Sequence, residues 1–203
     1  MESIQLSTSD GQQLAADIAV PDDTPVGGVV VCHPHPAYGG NRFNNVVEAL
    51  FAALPEAGFA TLRFDFRSGA GDGAAERLDV IAALDGLAER TDAPLALAGY
   101  SFGAAVALTT DDQPVTAIVA IAPPLGMMPV PTPQVPTLVL TPRHDQFCQP
   151  DAAQAIVAHW PDCEFEAIES ADHFLMGHTA DVAARAVSYL EARCRPTPRS
   201  TDP

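Results

Sequence analysis

The sequence predicts an α/β fold with a mostly parallel sheet of eight strands and helices on both faces. Short apolar runs rich in β-forming residues alternate with longer Ala-rich stretches of helical period, which is typical of βαβ units. The chain has 203 residues, of which 47% are hydrophobic and 18% charged, and this composition suits one domain with a sizeable core. We expect a single domain over residues 1–194, followed by a polar, proline-rich and disordered tail over residues 195–203.

The chain opens with a predicted β-hairpin. Its strands cover residues 4–8 and 14–20, and Asp10-Gly11 between them is a turn dipeptide that tolerates positive φ. We expect this hairpin to be antiparallel and to lie at one edge of the sheet. Residues 26–32 form a continuous apolar run, which predicts a central strand that is buried on both faces.

The remaining predicted elements are spread along the rest of the chain. Strands are expected over residues 59–64, 94–98, 115–121, 137–141 and 164–168. Helices are expected over residues 44–58, 76–90, 102–108, 151–159 and 179–193. In the second of these helices, apolar side chains at helical spacing predict a buried face made of Leu78, Ile81, Leu84 and Leu87.

The charge composition excludes several functions. The chain contains ten arginines, no lysine and 26 acidic residues, which gives a formal net charge of −16. The absence of lysine excludes Schiff-base, P-loop and Ser/Lys chemistry, because each needs the amine itself. An acidic surface repels phosphates and anionic lipids, so we expect neither nucleic-acid nor membrane partners.

Targeting and cysteine patterns point to one compartment. Residues 1–13 lack a basic segment and an apolar core, and no apolar run approaches the roughly 18 residues of a membrane span. The four cysteines show no CxxC pair, and a chain of this length does not need disulfides for its stability. We expect a soluble cytoplasmic protein with free, reduced thiols.

The pentapeptide from Gly99 to Gly103, GYSFG, fits the pattern G-x-S-x-G. It lies between the apolar strand PLALA and the Ala-rich helix FGAAVAL, which is the context that a nucleophile elbow requires. At such an elbow the serine occupies a strained turn, and the flanking glycines let neighbouring backbone pass without Cβ clashes. The pattern therefore predicts Ser101 as a nucleophile at the carboxyl ends of the strands.

A serine hydroxyl is a poor nucleophile, so a general base and an orienting acid are expected further along the chain. At an elbow of this type, the order along the chain is Ser, then Asp or Glu, then His. Asp145 follows the predicted strand TLVLT, and His173 follows the predicted strand EFEAI. Both side chains should therefore leave the same edge of the sheet as Ser101.

Other residues compete for these roles. Asp172 is the main rival of Asp145 because it adjoins His173. The H-x-H pair of His33 and His35 admits a metal-binding interpretation, although a third ligand is unassigned and the intervening proline would separate the rings. We expect no metal and no cofactor. The residues that we assign to loop, surface, capping or packing positions are His144, His159, His178, Cys32 and Cys148.

Attack on an acyl carbon creates an oxyanion, which needs preorganised N–H donors. The amide of Phe102, directly after the nucleophile, is expected to be one of them. The second should come from the loop over residues 33–41, where Pro34 and Pro36 have no N–H to donate. The available amides are those of His35, Ala37 and Tyr38, and we favour His35.

The site is expected to be open to solvent. Only 15 residues, 122–136, separate the sixth strand from the seventh, and six of them are proline, so no helical cap fits there. Met127 and Met128 are candidates for an apolar wall of the site, the alternative being that they cover the sheet edge. Tyr38 is a further substrate-binding candidate. Arg67 is another, and its alternative role is a structural pair with a nearby aspartate.

These motifs resemble the small α/β-hydrolases of the dienelactone-hydrolase-like and S15-peptidase-like neighbourhood, in particular a subgroup with an HPHPxxGG loop. The segments that carry the resemblance are HPHPAYGGN (33–41), GFATLRFDFRSGAGDG (58–73), GYSFGA (99–104), APP (122–124), PTLVL with the aspartate at position 145, and ADHF (171–174). The resemblance implies the α/β-hydrolase fold without a cap domain, and a triad of Ser101, Asp145 and His173. The chain departs from the common His-Gly-x-x-Asp turn, because Pro142 replaces the glycine.

From these residues we expect a serine hydrolase that cleaves carboxylic ester or thioester bonds of small to medium acyl substrates through an acyl-enzyme intermediate. Its partner would be a small-molecule acyl substrate. Peptide or amide cleavage is a variant within the same class. The alternative from another class is a non-catalytic interaction protein on the same scaffold, because a fold alone does not confer function.

Overall fold

The computed structural model describes residues 1–69, 71–110 and 112–194. The predicted disordered tail, residues 195–203, lies outside the described residues. Within them the chain forms one eight-stranded sheet in the order β1-β2-β4-β3-β5-β6-β7-β8. The strands are β1 Glu2–Ser7, β2 Gln13–Ala19, β3 Gly27–Cys32, β4 Phe59–Phe64, β5 Leu95–Tyr100, β6 Val115–Ile121, β7 Thr137–His144 and β8 Cys163–Asp172. The helices are α1 Asn45–Glu56, α2 Glu76–Ala88, α3 Phe102–Leu108, α4 Pro150–Val157 and α5 Thr179–Cys194.

The predicted edge hairpin is confirmed. Strands β1 and β2 pair antiparallel, and Gly11 in the turn between them has a φ of +89°. Strand β2 also runs antiparallel to β4, whereas all pairs from β4 through β3 to β8 are parallel. The parallel part therefore brings the carboxyl ends of β3 and of β5 to β8 to one edge of the sheet.

Helices cover both faces of the sheet, as the alternating pattern predicts. Every residue of β3 and β4 is buried, so these two strands lie at the centre of the molecule. One core cluster joins the sheet to α2, α3 and α4, with members such as Leu84, Val106 and Ala153. The other joins it to α1 and α5, with members such as Leu50 and Leu190. No helix within the described ranges is long and apolar enough to cross a membrane.

The buried face of α2 differs from the predicted one. Leu84 and Leu87 are buried as expected, but Leu78 and Ile81 are only half-buried. The helix instead turns Asp79, which is fully buried, toward the interior. The apolar spacing could not reveal this rotation, because it depends on an arginine from another segment that pairs with Asp79.

Strands β7 and β8 are longer than predicted. Strand β7 continues through Pro142 to His144, and β8 continues to Asp172. The two strands pair along this extension with a register shift between Pro142 and His144. A proline is tolerated in a strand at such an irregularity, because its missing N–H is not needed for a ladder hydrogen bond there.

Candidate active site

Ser101 lies at a sharp turn between β5 and α3. Its φ of 54° and ψ of −119° place it in a region that non-glycine residues rarely occupy. The two motif glycines are required by close backbone packing. A Cβ on Gly99 would lie 2.4 Å from the Gly103 carbonyl oxygen, and one on Gly103 would lie 2.4 Å from the Cys32 carbonyl oxygen. The turn can therefore form only with glycine at both positions.

The structure brings Ser101, His173 and Asp145 together. His173 Nε2 lies 3.0 Å from Ser101 Oγ, and His173 Nδ1 lies 2.8 Å from Asp145 Oδ2. Both distances are within hydrogen-bonding range, so the three side chains form a continuous series of hydrogen bonds. Asp145 and His173 are both buried, so water does not compete for the bond between them. The imidazole is thereby held with one nitrogen toward the carboxylate and the other toward the hydroxyl.

Backbone contacts fix the orientation of Asp145. Its Oδ1 accepts hydrogen bonds from the amides of Phe147, at 2.8 Å, and Cys148, at 3.1 Å. The Asp145 amide donates to the Pro142 carbonyl at 3.2 Å, which closes the turn after β7. This turn uses the carbonyl of Pro142 and needs no glycine, so the departure from His-Gly-x-x-Asp leaves the carboxylate beside His173.

Sequence reasoning missed the role of Tyr100 at this site. Its hydroxyl donates to the His173 carbonyl at 2.7 Å, and its side chain is buried. Tyr100 is a variable position of G-x-S-x-G, so the motif contains no signal for this bond. Phe147 was missed as well, and its ring packs edge-on against His173 with centroids 4.5 Å apart. The loop that carries His173 is thus held from several sides.

Among the candidate oxyanion donors, the hydrogen bonds of the loop favour His35. The Ala37 amide donates to His35 Nδ1, and the Tyr38 amide donates to the His35 carbonyl, each at 3.1 Å. In the described part of the chain the His35 amide has no such acceptor. The Phe102 amide belongs to the first turn of α3, where N–H groups have no intrahelical partner. The His35 and Phe102 rings pack together with centroids 4.5 Å apart, which links the two segments.

His33 fastens the start of this loop. Its Nδ1 donates to the Pro34 carbonyl at 2.5 Å, and its Nε2 accepts from the Phe66 amide at 2.9 Å. These contacts require a neutral imidazole with the proton on Nδ1. Burial lowers the pKa of His33, which favours the same form.

The metal-binding interpretation of the H-x-H pair finds no support in the geometry. All four ring nitrogens face backbone groups, because His35 Nε2 contacts the Gly71 carbonyl at 3.2 Å and His35 Nδ1 accepts from Ala37. The two imidazoles thus have different partners on different segments. Across the described ranges, no group of three His, Cys, Asp or Glu side chains is placed to hold a metal ion.

An open cleft of about 910 Å³ lies over Ser101. Tyr38, Met127 and Met128 all line it, as expected for substrate-binding candidates. Tyr38 is 90% exposed and Met127 is 65% exposed, so both belong to the rim. The other apolar side chains of the cleft include Pro124, Val130, Phe147 and Phe174.

Arg67, in contrast, does not line the cleft. Its guanidinium donates to Asp79 Oδ1 at 2.7 Å and to Asp10 Oδ2 at 2.6 Å, and its amide donates to Asp79. This is the structural pair that was the alternative to a substrate contact. It ties the β1–β2 turn to α2 and explains the buried carboxylate of that helix.

The rival residues lie away from the reacting groups. Asp172 is exposed, and its carboxylate accepts from the Phe174 amide rather than from His173. His144 and His159 are exposed, and the His178 carbonyl accepts the Val182 amide at the start of α5. Cys32 and Cys148 are buried free thiols, and burial raises the pKa of each. A thiol with a raised pKa is a weak nucleophile at neutral pH.

None of the helices in the described part of the chain covers the cleft. Residues 122–136, between β6 and β7, form turns, bends and irregular loop without a helix. A serine hydrolase homologue from Coxiella burnetii is 29% identical, with a TM-score of 0.83 over 93% of this chain and 97% of that one. A serine hydrolase without lid from Xanthomonas campestris is 26% identical, with a TM-score of 0.84 over 97% of this chain and 95% of that one. The chain therefore has the α/β-hydrolase fold without a lid, as these two proteins do.

The chain is also similar to an uncharacterized protein from Rickettsia prowazekii, which is 28% identical over 79% of this chain and 77% of the relative. No family model matches the sequence. Membership of the HPHPxxGG subgroup therefore stays a prediction. The fold and the absence of a cap agree with what the sequence resemblance implies.

Proposed function

We propose that this lidless α/β-hydrolase is a serine hydrolase that cleaves carboxylic ester or thioester bonds of small to medium acyl substrates. The observation that supports the proposal most directly is the hydrogen-bonded series Ser101 Oγ, His173 Nε2 and Nδ1, and Asp145 Oδ2. Each role follows from its place in this series. Ser101 is the nucleophile, His173 the general base and acid, and Asp145 the group that orients the imidazole.

Acylation begins when Ser101 Oγ attacks the acyl carbon. The Oγ–C bond forms as His173 Nε2 takes the hydroxyl proton, and the carbonyl π electrons move onto oxygen. The amides of Phe102 and His35 donate to this oxyanion. When the tetrahedral intermediate collapses, the bond to the leaving alcohol or thiol breaks, and His173 returns its proton to the departing oxygen or sulfur.

Deacylation repeats the same steps with water. A water molecule gives a proton to His173 and attacks the acyl carbon, after which the Ser101 ester bond breaks and Oγ regains a proton. The Nδ1–H of His173 donates to Asp145 throughout, and the carboxylate stabilises the imidazolium that forms in each half-reaction. The scheme uses only side chains and amides of this chain.

The shape of the cleft supports small or medium acyl groups. It is open because no cap covers it, and its rim is apolar, so a long chain would be left partly in water. Ester and thioester leaving groups need less assistance than an amine, and for this reason we place amide cleavage second. The alternative that the experiment must exclude is a non-catalytic interaction protein on the same scaffold.

Labelling with a fluorophosphonate probe tests the proposal. The wild-type protein should be labelled at neutral pH and should hydrolyse p-nitrophenyl butyrate, whereas Ser101→Ala should lose both activities. Ser9→Ala is the matched control, because Ser9 is exposed in the β1–β2 turn, away from the cleft. An unlabelled wild-type protein without ester turnover would mean that the scaffold is not an enzyme of this kind. Labelling that persists in Ser101→Ala would assign the nucleophile to another residue.

A further inference from the structure

One face of α3 forms the floor of a groove that leaves Ser101. Ser101, Ala105 and Thr109 line the cleft at steps of four residues, together with Phe102 and Val106. Residues four apart lie above one another on a helix, so this floor is straight. At the helical rise, its length from Ser101 to Thr109 is about 12 Å.

The side walls of the groove come from two segments. Gly73, Ala74 and Arg77 form one wall, and residues 127–130 form the other. The floor and the second wall are mostly apolar. At the far end, Arg77 donates to the Thr109 carbonyl at 2.8 Å and pairs with the Asp112 carboxylate, so the apolar surface ends there.

Met128 reaches across the groove part-way along it. A Cβ on Gly73 would lie 3.3 Å from Met128 Cε and 3.6 Å from Val106 Cγ2. The methionine end group, the opposite wall and the floor therefore meet near Val106. Gly73 has a φ of +100°, a backbone conformation that favours glycine. Because glycine has no side chain, it also leaves room for the end group of Met128. From Ser101 to Val106 the open part of the groove is about 7.5 Å long.

The geometry of the tetrahedral intermediate assigns a substituent to this groove. The leaving group must face His173 to receive its proton, and the oxyanion must face the amides of Phe102 and His35. The acyl substituent takes the remaining direction. The groove along α3 offers it an apolar surface that begins at the nucleophile.

We infer that the groove binds an unbranched, saturated acyl chain, and that Met128 sets the longest chain that fits. This inference rests on the proposed function. The open part accommodates about six carbons in extended form. Methionine is unbranched and flexible, and its end group lies beside Gly73 and Val106, so its replacement changes the length of the groove.

A series of p-nitrophenyl esters from acetate to decanoate tests this assignment. For the wild type, kcat/KM should rise by up to about fourfold for each methylene that the groove removes from water, and should stop rising near hexanoate. Met128→Ala opens the groove toward Thr109, over about 4.5 Å more of the floor. The decanoate-to-butyrate ratio of kcat/KM should then rise by roughly tenfold or more. Met128→Phe should shift the preference the other way, toward acetate.

Met176→Ala is the matched control, because Met176 is 73% exposed and does not line the cleft. Its chain-length profile should match that of the wild type. Equal rates for all chain lengths in the wild type would overturn the inference, as would the same profile for Met128→Ala and Met128→Phe. If Ser101 is labelled and short esters are hydrolysed while these profiles stay flat, the groove assignment fails and the serine hydrolase stands. If the wild type is neither labelled nor able to hydrolyse short esters, the groove assignment and the proposed serine hydrolase function both fail.

Discussion

Two buried tyrosines of this α/β-hydrolase offer a comparison of the same substitution in different surroundings. The Tyr100 hydroxyl donates to the His173 carbonyl at 2.7 Å, whereas the Tyr189 hydroxyl is buried and, within the described ranges, has no hydrogen-bond partner. Both side chains are more than nine-tenths buried. Replacement by phenylalanine removes one hydroxyl in each case and keeps the ring.

The two substitutions should have different effects on stability. Tyr100→Phe leaves the His173 carbonyl without its donor, which costs about 1–3 kcal/mol of unfolding free energy. For a chain of this size that corresponds to a fall in Tm of roughly 2–12 °C, with the smaller value if water from the cleft replaces the hydroxyl. Tyr189→Phe removes a hydroxyl that is buried without a partner, so Tm should stay constant or rise.

Thermal unfolding followed by circular dichroism measures both values on the full chain. Because the hydroxyl of Tyr100 holds the backbone of His173, the proposed general base, ester turnover should also fall in Tyr100→Phe and remain unchanged in Tyr189→Phe. Equal changes in Tm would refute the argument, since they would mean that the hydrogen bond to His173 contributes nothing beyond the burial of a phenol. A fall in Tm for Tyr189→Phe but not for Tyr100→Phe would also contradict the argument.

Two further predictions concern the elbow and the loop before α1. Gly103→Ala should lower stability by about 1–3 kcal/mol and reduce ester turnover, because its Cβ would meet the Cys32 carbonyl oxygen at 2.4 Å and push α3 from β3. Gly126→Ala, where a Cβ meets nothing within 4 Å, is the control, and equal Tm values would contradict the packing argument. His33 should keep its proton on Nδ1, and its imidazole should gain a second proton at a lower pH than an unperturbed histidine, as read by long-range ¹H–¹⁵N NMR. Since its folded pKa is lowered, its contribution to stability is present above the unfolded value of about 6.5 and declines as the pH falls below that value. A His33 imidazole that titrates at the unperturbed value would contradict this prediction.

The sequence by itself predicts most of the architecture. Apolar and Ala-rich runs locate β3, β4, α3 and β6, because the period of the side-chain pattern is a local property of the chain. Parallel strands have their carboxyl ends at one edge, so residues that follow such strands are expected to meet. For this reason the positions of Ser101, Asp145 and His173 in the sequence were enough to predict that the structure brings them together.

Only the tertiary structure decides which residues from distant segments come into contact. The pairing of Arg67 with Asp79 places a carboxylate on the buried face of α2, and no local period contains that partner. The Tyr100 bond to His173 and the position of Met128 across the groove likewise join residues far apart in the chain. Local patterning determines which segments are strands and helices and at which sheet edge their polar ends emerge. The approach of individual side chains depends on distances of a few ångströms between packed elements, and these distances exist only once the chain has folded.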